Sequence, residues 1–98
     1  MANRPELLAV RDVSVRYFHA RVPAEEVQET VLEAGRSMKA DGLTMEEILV
    51  VLKGAVRLAA DHVNQPATAE RAVWLRSQLT PWLVSLYIGG LGESDEDL

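Results

Sequence analysis

Apolar residues recur along most of this chain at spacings of three and four, the period of a helix that buries one face. The pattern is cleanest at Ala24, Val27, Val31, Ala34 and Met38. Pro23 suits the first turn there, Glu25, Glu26, Glu29 and Glu33 come early, and Arg36 and Lys39 come late, the order that complements a helix dipole. Gly42 supplies the stop. The stretch from Ile48 to Val63 is more apolar still. Its charged residues are Lys53, Arg57 and Asp61, four apart, which make one thin solvent row. Thr44 and Glu47 have the spacing of a capping box, so a helix over 44–63 is expected at the centre of the fold. Gly54 within it is expected to permit a close helix crossing, which would offset its helix-propensity cost of about 1 kcal/mol.

The two ends of the chain are less regular. Asn3, Pro5 and Glu6 read as a capping box that starts a helix near Arg4. Pro23 restricts the residue before it, so this helix should stop by Arg21 or Val22. Val13, Val15 and Tyr17 alternate with Asp12, Ser14 and Arg16, which is also a strand period. Helix is the better reading, because Leu7, Leu8, Val10, Tyr17 and Phe18 share a broad face opposite Asp12, Arg16 and His19, and a strand would lack a partner. Asn64, Gln65 and Pro66 form a break, and Thr68 with Glu70 opens a fourth helical segment from about Ala69. Pro81 either kinks that segment or begins a new one with Thr80 as cap. Gly89 and Gly90 should end the order.

The fold expected is therefore all-α, a small bundle of four or five helices. A single domain spans 1–91, and a disordered acidic tail, dispensable for folding, covers 92–98. Length agrees, since 98 residues hold one core and little room for a buried cleft. The net charge of −5 is a property of the tail: Glu93, Asp95, Glu96 and Asp97 lie in the last six positions, and the body without them carries −1. Neither an acidic face nor a basic excess for nucleic acid follows.

The residue types narrow the chemistry further. Without cysteine there are no disulfides, thiolate nucleophiles or cysteine zinc sites, and the cytoplasm is favoured. No apolar stretch is long enough for a bilayer span, so no membrane is expected. His19 and His62, the two imidazoles, stand on different helices with no ligand pair at helical spacing, so no metal or other cofactor is expected. Glu26, Glu29 and Glu33 read as a solvated face. No serine sits in a nucleophile-elbow setting and no glycine-rich loop follows a strand, so the chain reads as a non-enzyme with no catalytic residues.

Two resemblances are local. The short link Asp41 to Leu43 between the second and third helices is similar to that of a helix-turn-helix regulator, but the third helix offers only Lys53 and Arg57 to a groove, with Asp61 in the same row. Leu52-Lys53-Gly54-Ala55 resembles the stretch after the phosphorylated histidine of histidine phosphotransfer bundles. That resemblance implies a histidine one turn back, where this chain has Val50, and thus at most a bundle that docks a response regulator without accepting phosphate.

What remains is a helical module that binds itself, as a homodimer, or another protein. Leu75, Leu79, Trp82 and Leu86 make a stripe sufficient to pack the fourth segment on the third helix. Val73, Trp74, Val84 and Ile88 project away from it, where a small isolated domain would place charge, and they form the expected interface. The alternative is that the first helix covers them.

Overall fold

The computed structural model describes the backbone of residues 4–97 and the side chains of residues 4–88. It consists of four helices: α1 Pro5–Phe18, α2 Ala24–Ala40, α3 Met45–Val63 and α4 Pro66–Asp97. The described residues contain no strand, so the alternating stretch at Val13 to Phe18 is helical. The acidic segment 92–98, expected to be disordered, lies outside the residues whose side chains are described.

Local chemistry sets most of the helix ends. At the start of α3 the Thr44 hydroxyl accepts from the Glu47 N–H at 3.2 Å, and the Glu47 carboxylate accepts from the Thr44 N–H at 2.8 Å, the reciprocal capping box. α2 ends as expected at Gly42, whose φ of 96° lets the Leu43 N–H return to the Met38 carbonyl. α1 ends earlier than Pro23 alone requires. Ala20 adopts φ 60°, the Ala20 N–H donates to Tyr17 and the Arg21 N–H to Arg16, the same motif built without glycine. The α1 start also departs from expectation. Arg4 is the cap residue, with no side-chain cap bond, and the Glu6 carboxylate accepts from Arg4 and Ser37 instead. Asn3 lies outside the described residues.

α4 corrects two further boundaries. It begins at Pro66 and not near Ala69, because proline lacks the N–H that a first-turn residue would leave unpaired anyway. Thr68 is therefore not a cap but a buried residue of the first turn. The helix runs through Pro81 without a new start. Pro81 is exposed, so the Ser77 carbonyl deprived of its donor can turn to water.

Around the bundle the helices follow one another as α1, α3, α4, α2, so that α2 and α3, joined by the short link after Asp41, lie across a diagonal. α3 is central, packed on α1 and α4, and buries Ile48, Leu52, Ala55, Val56 and Ala59. Val10, Val13 and Phe18 of α1, Val27, Val31, Ala34 and Met38 of α2, and Ala72, Leu75, Leu79 and Leu83 of α4 complete the core. Leu83, fully buried, joins the inner stripe of α4, while Trp82 and Leu86 stand at its margin.

Polar contacts fix the corners. Tyr87 donates its hydroxyl to the Leu43 carbonyl at 3.2 Å, and Lys39 lies 4.5 Å from the Tyr87 ring centroid, tying α4 to the α2–α3 corner. At the other end Arg71 donates to the Tyr17 carbonyl at 2.8 Å, a second donor to the carbonyl that already accepts from the Ala20 N–H, and so ties α4 to the end of α1.

Candidate interaction surface

The outward face of α4 follows from its inward one. At 100° per residue, Leu75, Leu79 and Leu83 point into the core, which turns Val73, Ser77, Val84 and Ile88 to within about 60° of one another on the far side. Val73 is 59% exposed and Ile88 54% exposed. Val84 is half-buried. Trp74, 40% exposed, flanks the row and leans back on the bundle, its ring centroid 6.0 Å from that of Tyr17 and 6.3 Å, edge-on, from that of Trp82. α1 thus reaches this face at Tyr17 and leaves Val73 and Ile88 uncovered. From Val73 to Ile88 the one charged residue is Arg76.

A second apolar surface lies elsewhere, and nothing in the periodicity singled it out. Val50 is 70% exposed, and Leu58 and Leu8 are also exposed, so α3 presents more than the expected row of Lys53, Arg57 and Asp61. Gly54 belongs to this open side. A β-carbon there would meet no atom within 4 Å, so it does not serve the close helix crossing expected of it. The close crossing is made by Gly35, between α2 and α4. Seen on its own, α3 is apolar enough to look covered all round; α1, α2 and α4 cover only part of it.

The remaining sequence candidates are dispersed. His19 and His62 are exposed, and among the described residues no three potential metal ligands come together. Glu29 and Glu33 border a shallow depression on α2 with Arg36. Val50, Lys53 and Gly54 lie on one exposed side of α3, with a valine where the phosphotransfer resemblance implies a histidine.

One polar cluster has perturbed acidity. The Glu6 carboxyl is held below the ordinary glutamate range by its own backbone N–H first, then by the Ser37 hydroxyl at 2.8 Å, and then by Arg4. Arg4 also pairs with Asp41, which is the main reason its guanidinium is held above its ordinary value. The cluster clasps the start of α1 to the end of α2. No helix among the described residues is long and apolar enough to cross a membrane. Comparison of the chain with family models, with curated proteins and with solved structures finds no match.

Proposed function

We propose that this protein is a non-enzymatic interaction module that pairs with a second copy of itself through the outer face of α4. The observation that carries the reading is the spacing along that face. Val73, Ser77, Thr80, Pro81, Val84 and Ile88 are spaced symmetrically about the Thr80–Pro81 bond, with an apolar residue at each outer end. A two-fold interface needs such self-complementarity, because each residue meets the partner's residue across one axis. In an antiparallel pair Val73 opposes the partner's Ile88, Ser77 opposes the partner's Val84, and the axis passes between Thr80 and Pro81. Arg76 falls opposite the partner's Ser85, so no like charges meet. Trp74 stands beside the seam as the aromatic anchor. The absence of cysteine suits a cytoplasmic setting.

The face from Val73 to Ile88 is about 24 Å long, short enough that pairing should depend on concentration. Light scattering from micromolar to millimolar protein tests it. The wild type should pass from monomer to dimer over that range, and Val73→Lys or Ile88→Glu alone should keep it monomeric while circular dichroism stays helical. The double variant carrying both changes should regain the dimer, since the antiparallel register brings the two new charges together. A wild type that stays monomeric throughout, or a double variant no better than either single one, refutes the proposal.

A further inference from the structure

Between the first half of α1 and the middle of α3 runs a groove of about 550 Å³ that includes no residue of α4. Leu7 and Leu8 form one wall, Val51, Ala55 and Leu58 the other, and Gly54 leaves the floor open. The volume falls within the range of small-molecule sites. Arg4, Arg11, Arg57 and Asp61 edge it. Arg4 spends its charge on Glu6 and Asp41. Arg11 and Arg57 have no acidic partner within ion-pair distance among the described residues, not even Asp61, one helical turn beyond Arg57. Apolar walls with two uncommitted guanidiniums against one carboxylate define the complement: an apolar body bearing a single anionic head.

We propose that this groove binds a small amphiphilic anion, a carboxylate on an apolar chain, with the chain along Leu8, Gly54 and Leu58 and the head at Arg11 and Arg57. Guanidinium is suited to this because its fork matches a carboxylate in two hydrogen bonds. A nucleic acid, which offers charge without an apolar body, would leave the leucines wet.

The test uses decanoate and decyltrimethylammonium, each below its micelle concentration, titrated against the whole chain by calorimetry and by methyl NMR of Leu8, Val51 and Leu58. Decanoate should bind one to one, at least tenfold more tightly than the cationic chain, and shift those methyls. Arg57→Gln and Arg11→Gln should each weaken it about tenfold. Gly54→Leu should abolish binding with the fold intact, since its added side chain enters open space. Should Gly54→Leu fail to fold, Gly54→Ala provides the same test with a smaller loss. Equal affinity for the two head groups, binding that survives Gly54→Leu, or no methyl shift at millimolar decanoate overturns the assignment.

Discussion

Gly35 on α2 and Leu86 on α4 approach so closely that a β-carbon on Gly35 would stand 2.7 Å from Leu86 Cδ1 and 3.0 Å from Leu83 Cδ2. Leu86 is half-buried and can swing aside, but Leu83 is fully buried and cannot. Gly35→Ala should therefore lower stability by about 1 kcal/mol, because overpacking outweighs the gain in helix propensity. Gly54→Ala, with nothing to strike, should raise it by about 0.5 to 1 kcal/mol. Urea denaturation of the two variants side by side checks the opposite signs.

Ala20 closes α1 in a left-handed conformation that an L-residue with a β-carbon adopts at a cost. Ala20→Gly should stabilise the protein by about 0.5 to 1 kcal/mol, the relief of that cost exceeding the extra freedom of glycine in the unfolded chain. Thermal melts that show no gain would mean the turn is less constrained than its hydrogen bonds imply.

The clasp at Glu6 makes stability depend on pH. Its carboxyl is more acidic folded than unfolded, so its contribution is present above the ordinary glutamate pKa of about 4.3 and is lost as pH falls through the lower folded value. Glu6→Gln should melt below the wild type at neutral pH, and the gap should close on acidification below about pH 4. A gap independent of pH would assign the loss to packing alone.

Ser14 is buried in α1, and its hydroxyl has no hydrogen-bond partner among the described residues. Removing an unsatisfied buried hydroxyl relieves its desolvation cost, so Ser14→Ala should be stabilising by about 1 kcal/mol. Ser14→Ala also improves helix propensity, and an exposed control such as Ser85→Ala, read at a concentration where the protein is monomeric, measures that part separately.

Helix existence was legible wherever the residues of one turn decide it. The Thr44–Glu47 box, the Gly42 stop, and the α2 stripe of Val27, Val31, Ala34 and Met38 depend on neighbours three or four positions away, and each is found where its spacing predicts. The ends misread were those where two local signals compete: Pro66 was taken for a breaker when it also suits a first turn, and Ala20 has no composition signal for a left-handed cap. Val73, Trp74 and Ile88 could be set apart from Leu75 and Leu79 on α4 by angle alone, since a helix that buries one face exposes the opposite one. Which exposed apolar residues gather into a groove is another matter. Leu8 and Leu58 are fifty positions apart in the chain, and Gly35 and Gly54 are both single glycines within apolar helices; the order of helices around the bundle alone puts Gly35 against Leu83 and leaves Gly54 open. Spacing along one helix is a local property of the chain, whereas the partner a face meets depends on contacts between residues distant in sequence, and these arise only when the helices pack.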